Sequence, residues 1–290
     1  MIVVHTLADC RAERAKLQRL AFIPTMGALH AGHVSLMETA QKHAPHVAVS
    51  IFVNPTQFGP TEDFTKYPRP LEADLAKCKA AGIDLVFNPP PEEMYRHGAP
   101  DLVVDVPGLT TILEGKHRLG HFKGVCLIVT KLFNIIRPDV ALFGQKDFQQ
   151  LRILTTMVEA LDLPVQMIPC PTLRDADGLA MSSRNQYLSP EDRTRALSIS
   201  RALFMADAEF KRGITQTNRL IATIQKPILE QHMNIDYVAA VDPVTLKNIE
   251  LITGPTVLAV AARVGNTRLI DNIIIAPPSP PPGTPGGGLG

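Results

Sequence analysis

Short apolar segments alternate with longer amphipathic segments through roughly the first 170 residues, and this alternation restricts the possible folds more than any other feature. The pattern predicts strands at residues 21–25, 47–53, 84–87, 140–143 and 165–168. It predicts helices at residues 32–43, 71–81, 122–136 and 148–161. Strand–helix–strand units of this kind form right-handed crossovers, so we expect an α/β fold with a Rossmann-like, doubly wound parallel sheet. Ligands of such sheets bind beyond the carboxyl ends of the strands.

The pattern changes after Pro171. Helices are predicted at residues 190–212 and 217–232, the first with Ser189 as N-cap and Pro190 in the first turn. Strands at residues 235–241, 256–264 and 269–275 follow, which indicates a smaller C-terminal α+β domain. We therefore expect a Rossmann-like domain over residues 1–172, a C-terminal domain over 173–276, and a disordered Pro- and Gly-rich tail over 277–290.

Composition disfavours several classes of protein. The net charge of +1 provides no broad basic field for nucleic acid. Cys10, Cys78, Cys126 and Cys170 form no CxxC pair, so we expect reduced thiols rather than a metal site or a disulfide framework. The first residues do not resemble a signal peptide, and no apolar run reaches the ~20 residues of a membrane helix. A cytoplasmic protein without a membrane partner is expected.

The most informative motif is His30-Ala31-Gly32-His33, which follows a predicted strand and opens a predicted helix. A helix N-terminus presents free N–H groups and a positive dipole end, which suit a triphosphate. Two histidines at this spacing lie on one side of the first turn and can reach the same anion. An isolated HxxH pair is also compatible with surface histidines, core histidines or a metal site, but its position after a strand favours the anion.

A second segment, Gly178 to Asn185, resembles the KMSKS-type loop that closes on phosphates in the nucleotidyltransferase superfamily. The first motif matches the HxGH signature of that superfamily, which includes class I aminoacyl-tRNA synthetases. Arg184 occupies the cationic position of the loop. The two motifs together indicate nucleotidyl transfer on a doubly wound sheet.

Further segments resemble the pantothenate synthetase family, from about Val3 to Ile275. They are residues 50–58 (SIFVNPTQF), 67–69 (YPR), 120–125 (GHFKGV), 143–150 (FGQKDFQQ) and 268–272 (RLIDN). The resemblance implies an enzyme that converts ATP and pantoate to pantoyl adenylate and pyrophosphate. β-Alanine then displaces AMP to give pantothenate.

The resemblance also implies roles for individual residues. His30, His33, Lys146 and Arg184 would stabilise the charge of the transferring group, with His33 as the candidate acid. Gln57 and Gln150 would bind the hydroxyl groups of pantoate, since amide side chains both donate and accept. The implied ATP-binding residues are Met26, Gly27, Ala28, Leu29, His30, Ala31, Gly32, His33, Gly144, Gln145, Lys146, Asp147, Leu173, Met181, Ser182, Ser183 and Arg184.

ATP implies Mg²⁺, and Asp74 is the candidate for an outer contact with the metal. The chain departs from the family at this place: some family members have a run of acidic residues, whereas this chain has Leu71-Glu72-Ala73-Asp74. Thr56 replaces a common Met, and Gln145 replaces a common Glu. The resemblance further implies a homodimer formed through the N-terminal domain.

Three other functions share parts of this pattern. Another HxGH nucleotidylyltransferase would need cations for a phosphorylated substrate, whereas Gln57 and Gln150 suit an uncharged polyol. A non-catalytic nucleotide-binding protein is disfavoured because all cationic positions are present. An aminoacyl-tRNA synthetase is disfavoured because no anticodon-binding extension or basic surface is visible.

Overall fold

The computed structural model describes residues 1–60, 62–96, 98 and 101–277. A parallel sheet of six strands in the order β1-β4-β3-β2-β5-β6 forms the N-terminal part of this described chain. The chain winds outward from β2 in both directions, so the order reverses between β2 and β5. The strands are β1 (Ile2–Val4), β2 (Leu20–Thr25), β3 (His46–Ile51), β4 (Leu85–Phe87), β5 (Val140–Gly144) and β6 (Gln166–Cys170).

Helices cover both faces of this sheet. The described chain also contains short 3₁₀ turns between strands and helices, at Pro55–Gln57, Gln145–Asp147 and Ser183–Tyr187. The N-terminal helices are α1 (Leu7–Arg14), α2 (Ala31–Ala40), α3 (Leu71–Ala80), α4 (Pro91–Met94), α5 (Pro107–Thr110), α6 (Glu114–His117), α7 (His121–Ile136) and α8 (Phe148–Ala160). Among the described residues, none of the helices combines the length and apolar character needed to cross a bilayer.

The C-terminal part contains an antiparallel sheet in the order β7-β8-β9, packed against two helices. The strands are β7 (Asn234–Val241), β8 (Thr256–Val264) and β9 (Thr267–Ile275). The helices are α9 (Pro190–Lys211) and α10 (Thr217–Glu230). Ser189 caps α9 by accepting a hydrogen bond from the N–H of Asp192, as expected for Ser followed by Pro.

The apolar core follows the period of two along each buried strand. Phe22 faces the cluster that includes α7 and α8, whereas Ile23 faces the cluster formed with α2 and α3. A separate cluster fills the space between α9, α10 and the antiparallel sheet. Val241 and Val257 of that sheet join the α7 cluster, so the two parts of the chain share apolar contacts.

The predicted fold class is confirmed, and the longer predicted elements are present with ends that move by a few residues. The predicted strand 47–53 ends at Ile51, and the predicted helix 32–43 begins at Ala31 and ends at Ala40. β1, α1 and the four-residue helices were not predicted, because segments this short carry too little periodicity. The division near residue 172 stays a prediction. In the predicted tail, only Pro277 is described, and residues 278–290 lie outside the described residues.

Candidate active site

The loop after β2 places the two histidines at the start of α2 through an unusual backbone conformation. Gly27 and Ala28 both have positive φ angles, 80° and 50°. This turn directs the N–H groups of Ala28 and Leu29 to the two carboxylate oxygens of Asp74, each at 2.8 Å. Gly27 is required here because it adopts positive φ easily and because a Cβ would lie 3.0 Å from Asp74 Oδ2. Asp74 therefore holds the loop that carries the motif.

His30 and His33 form a reciprocal cap at the N-terminus of α2. His30 Nδ1 accepts the N–H of Gly32 at 3.1 Å, and His33 Nδ1 accepts the N–H of His30 at 3.2 Å. The two rings lie against each other with centroids 4.1 Å apart. Because each Nδ1 is an acceptor, each neutral ring carries its hydrogen on Nε2. The histidines therefore present two N–H donors at a helix terminus.

Burial and neighbouring cations keep both imidazoles uncharged. Burial, with Lys146 nearby, lowers the pKa of His30 to about 4. Burial, with His30 and Lys146 nearby, lowers the pKa of His33 to about 3. In this cleft His33 is therefore uncharged, and its role as an acid stays a prediction. Each ring is a neutral hydrogen-bond donor.

Gly32 lies between the two histidines, at the second residue of α2. A Cβ on Gly32 would lie 2.9 Å from two atoms of the His30 ring. Gly32 thus makes room for the imidazole that caps the helix.

Lys146 reaches the same cleft from the turn after β5, the strand beside β2 at the point where the sheet order reverses. Its Nζ lies 3.9 Å from Asp147 Oδ1, which is a loose contact rather than a hydrogen-bonded pair. Asn272 of β9 donates hydrogen bonds to the carbonyl groups of Gln145 and Lys146, at 3.0 and 2.8 Å. The turn is thus held by the C-terminal sheet.

The segment from Leu173 to Met181 is a small hairpin above the cleft. The N–H of Met181 donates to the carbonyl of Leu173 at 3.0 Å, and Gly178 turns the chain with φ 94°. Leu173 and Met181 both line the cleft. The hairpin therefore joins Leu173, an expected ATP-binding residue, to the KMSKS-like loop at residues 178–185, called the closing loop below.

The closing loop contacts the segment between the first 3₁₀ turn and α3. Arg184 forms two hydrogen bonds with the carboxylate of Asp63, and the hydroxyl groups of Ser183 and Tyr67 lie 3.1 Å apart. Arg184 still lines the cleft. Its charge is balanced by Asp63, a partner that no sequence motif indicated.

Gln57 lines the same cleft, and its side chain is held in a fixed orientation. Its side-chain oxygen accepts a hydrogen bond from Asn54 at 3.0 Å, and its amide nitrogen lies 3.0 Å from the sulfur of Met26. The Thr56 hydroxyl donates to Asn54 Oδ1 at 3.0 Å, so the departure from the family motif supports the residue that orients Gln57. Gln150 lines the same cleft from α8.

Helix α7 is packed directly against the turn that carries Gln57. A Cβ on Gly124 would lie 2.2 Å from the carbonyl oxygen of Thr56, so only glycine permits this approach. His121 Nδ1 donates to the carbonyl of Gln57 at 2.8 Å, and His121 Nε2 accepts from Arg118 at 2.9 Å. The segments 50–58 and 120–125, far apart in sequence, thus form one support for Gln57.

The structure brings most of the predicted site residues to one cleft. The predicted residues that line it are Met26, His30, Gly32, His33, Gln57, Gly144, Lys146, Asp147, Gln150, Leu173, Met181, Ser182, Ser183 and Arg184. Gly27, Ala28, Leu29, Ala31 and Gln145 do not line it and instead shape the two loops. The ATP and pantoate contacts of all these residues, inside and outside the lining, stay predictions.

Arg118, His121, Asn54 and Tyr67 also line the cleft, although the sequence motifs assigned them no role. Asn54, Tyr67 and His121 lie inside segments that resemble the family, and this resemblance could have indicated them as site residues. Arg118 lies outside those segments. Its guanidinium is paired with Glu62 at 2.7 and 2.8 Å.

The described residues contain no group of three or more His, Cys, Asp or Glu side chains suited to a metal ion. Asp74 is fully buried, and both its oxygens accept backbone hydrogen bonds. This geometry gives Asp74 a structural function and does not support its assignment to Mg²⁺. Within the described part of the chain, the protein groups alone do not form a metal site.

Comparison with known proteins identifies the family. The sequence profile of the pantoate–β-alanine ligases matches residues 2–274. The chain belongs to this ligase family. A pantothenate synthetase of Acetivibrio thermocellus is 47% identical over 280 residues, which are 95% of this chain and 99% of that one. Family membership explains why two nucleotidyltransferase motifs occur together with the glutamine-bearing segments.

Solved ligases of the family share the fold. Pantothenate synthetase from Thermus thermophilus superimposes with a TM-score of 0.91 at 42% identity, over 96% of this chain and all of that chain. The ligase of Francisella tularensis, solved as a complex with β,γ-ATP and β-alanine, gives a TM-score of 0.77 at 32% identity, over 94% and 97% of the two chains. The expected enzyme class is confirmed.

Proposed function

We propose that this ligase condenses pantoate with β-alanine at the cleft, with ATP converted to AMP and pyrophosphate. The observation that carries the proposal is that four donors, His30, His33, Lys146 and Arg184, line one cleft together with the oriented amide of Gln57. The complex of the Francisella ligase with β,γ-ATP and β-alanine supports both co-substrates.

In the first step, a carboxylate oxygen of pantoate attacks the α-phosphorus of ATP, and the bond to the β-phosphate oxygen breaks. The products are pantoyl adenylate and pyrophosphate. Negative charge grows on the leaving pyrophosphate, where fixed N–H donors and cations lower the barrier. His30 and His33 supply Nε2–H donors, while Lys146 and Arg184 supply positive charge. Pyrophosphate needs no proton from the protein to leave, so neutral imidazoles suffice.

In the second step, the amine of β-alanine attacks the carbonyl carbon of the adenylate. The C–O bond to AMP breaks and AMP leaves as an anion. The β-alanine nitrogen, now part of the new amide, loses a proton. The cleft holds both ends of the intermediate, with the histidines near the phosphate and Gln57 near the pantoyl group. The enzyme thus acts mainly by positioning.

Gln57 and Gln150 are proposed to bind the hydroxyl groups of pantoate. Asn54 holds the oxygen end of the Gln57 amide, which leaves the NH₂ end beside Met26 and the cleft. An amide fixed in this way selects a hydroxyl or carboxylate oxygen at a defined distance. Adenine is proposed to lie beside the backbone of Leu173.

Mg²⁺ is proposed to enter with ATP, held by phosphate oxygens and water. The ion keeps several waters and prefers phosphate oxygens to an all-protein cage. When bound, it would neutralise part of the triphosphate charge. The engagement of both Asp74 oxygens by backbone N–H groups supports a metal held by the nucleotide rather than by this residue.

We propose that residues 1–172 bind ATP and pantoate and that residues 173–276 act as a lid domain. The second part carries the closing loop and its own apolar cluster, which supports this division. We also propose a cytoplasmic homodimer that associates through the N-terminal domain. The exposed apolar side chains of Leu102, Val103 and Leu119 support the association, and sedimentation analysis tests it.

The function is tested by an assay of pyrophosphate and AMP release, omitting ATP, pantoate and β-alanine in turn. Pyrophosphate should require ATP and pantoate, and continuous AMP release should also require β-alanine. Lys146→Ala is the matched inactive control, because it removes one cation of the cleft. Pyrophosphate release with a phosphorylated acceptor and none with pantoate would overturn the proposal.

A further inference from the structure

Strand β9 lies between the two loops that carry the proposed ATP-binding residues. Asp271 and Asn272 are consecutive in this strand, so their side chains point to opposite faces. Asp271 is directed to the hairpin that contains Leu173 and Met181, and Asn272 is directed to the turn that contains Lys146. Both side chains are buried. One dipeptide of the C-terminal sheet therefore contacts both loops.

Asn272 of β9 holds the turn that carries Lys146 by hydrogen bonds to its backbone carbonyl groups. The Asn272 Nδ2 group donates to the carbonyls of Gln145 and Lys146, using both of its hydrogens. Two bonds to successive peptide groups fix the position and the tilt of the turn. The direction in which the Lys146 side chain leaves the backbone is thereby fixed.

Asp271 holds the other loop and also holds Asn272. Its two oxygens accept hydrogen bonds from Arg174 at 2.6 and 2.9 Å, and Oδ1 also accepts the N–H of Asn272 at 2.8 Å. Arg174 follows Leu173 directly and donates to the carbonyl of Gly178 at 3.3 Å. The carboxylate thus connects the hairpin to the backbone of the residue that supports Lys146.

We infer that Asn272 is a positioning residue of the ligase, which acts on the adenylation step by holding the turn that aims Lys146 into the cleft. This inference rests on the proposed function of Lys146 at the triphosphate. The long lysine side chain has many rotamers, so its useful position depends on the backbone that bears it. A displacement of about 1 Å in a positioned group costs on the order of 100-fold in rate.

The test compares pyrophosphate release by wild type, Asn272→Ala and Asn272→Ser at saturating ATP over a range of pantoate concentrations, which gives both kcat and KM. The alanine variant should lower kcat about 10- to 100-fold, with the KM for pantoate changed by less than about twofold. The serine variant retains one donor and should fall between the two. Asn134→Ala is the matched control, because Asn134 also donates to a backbone carbonyl, that of Thr130, but lies within α7. Its kcat should equal that of wild type.

A double-mutant cycle with Lys146→Ala separates positioning from general stability. If Asn272 acts through Lys146, removing the amide from the Lys146→Ala enzyme should change its residual rate by less than about twofold. The inference would be overturned if the Asn272→Ala substitution lowered kcat by the same factor with and without Lys146. It would also be overturned by an unchanged kcat in Asn272→Ala, or if neither Asn272 variant folded. Wild-type protein that releases no pyrophosphate from ATP and pantoate would instead contradict the proposed function.

Discussion

Asp63 accepts two hydrogen bonds from the guanidinium of Arg184, at 2.9 and 3.0 Å. The preceding residue, Glu62, binds Arg118 in the same bidentate manner. Two adjacent carboxylates therefore neutralise two arginines that line the site. A triphosphate that binds Arg184 has to compete with Asp63, and both side chains of this pair are partly buried, which strengthens their attraction.

Asp63→Asn should release Arg184 for the nucleotide. We expect the KM for ATP to fall about two- to tenfold, because the competing charge is lost while the guanidinium remains. Initial rates of pyrophosphate release over a range of ATP concentrations measure this. Asp207→Asn is the control, since it removes a carboxylate paired with Lys211 on α9, away from the cleft. A higher KM in Asp63→Asn would mean that Asp63 orients Arg184 for ATP instead.

The Nδ1 atom of His33 caps α2, whereas its Nε2–H is the proposed donor to the leaving pyrophosphate, and substitutions can separate the two. Asparagine at position 33 can still accept the N–H of His30 but has no donor at the place of Nε2. His33→Ala should lower the free energy of unfolding by about 0.5–2 kcal/mol, and His33→Asn by less than about 0.5 kcal/mol. Both should lower kcat for adenylation about 100-fold or more, with a much smaller effect on ATP affinity. Urea unfolding and single-turnover kinetics check the two effects. Near wild-type turnover in both variants would remove His33 from the mechanism.

The lowered histidine pKa values predict an acid-sensitive fold. Burial lowers the pKa of His30, His33 and His121 to about 4, 3 and 4 from an ordinary value of 6.5. Below pH 6.5 the unfolded chain binds protons that the folded protein does not, so the free energy of unfolding falls as pH falls toward 4. Above pH 7 these groups do not make the free energy of unfolding depend on pH. Urea unfolding at pH 5, 6, 7 and 8 measures the slope, and His121→Asn should reduce it. If the free energy of unfolding of His121→Asn depended on pH as steeply as that of wild type, the lowered pKa of His121 would be contradicted.

Asp74→Asn distinguishes a loop-holding role from a metal ligand. The amide offers one oxygen to the two N–H groups of Ala28 and Leu29, so one donor is left facing an NH₂ group. The free energy of unfolding should fall by about 1–3 kcal/mol. The Mg²⁺ concentration for half-maximal rate should change by less than about twofold if, as proposed, the nucleotide holds the ion. Glu72→Gln, exposed on the same helix, is the control. A large rise in the required Mg²⁺ would restore Asp74 as a ligand.

Gln57→Ala should affect pantoate and leave ATP nearly unchanged. The loss of a fixed amide that pairs with a substrate hydroxyl costs about 1–3 kcal/mol, which is roughly a 5- to 150-fold rise in the KM for pantoate. The KM for ATP should stay within about twofold. Gln41→Ala, which removes an amide near α3 at the surface, is the control. Equal rises in both KM values would indicate that the turn at Pro55–Gln57 has collapsed.

Local patterns predicted the order of the long strands and helices because apolar periodicity reports directly which face of an element is buried. Val140 to Phe143 and Phe148 to Ala160 are examples in which a buried strand and an amphipathic helix lie within a few residues of the predicted bounds. The short strand Ile2–Val4 has no such signal, since three residues complete barely one repeat. It is placed by pairing with Leu85–Phe87, more than 80 residues away.

The sequence by itself indicated the reaction class, because the HxGH motif at residues 30–33 and the KMSKS-like loop at residues 178–185 are both local patterns. The tertiary structure alone decided which protonation state His30 and His33 have, since burial and the approach of Lys146 lower their pKa values. It also decided the partners of two other site residues. Asp63 and Arg184 are 121 positions apart, and Lys146 and Asn272 are 126 apart. Desolvation and charge pairing depend on distance in space, which no local pattern records.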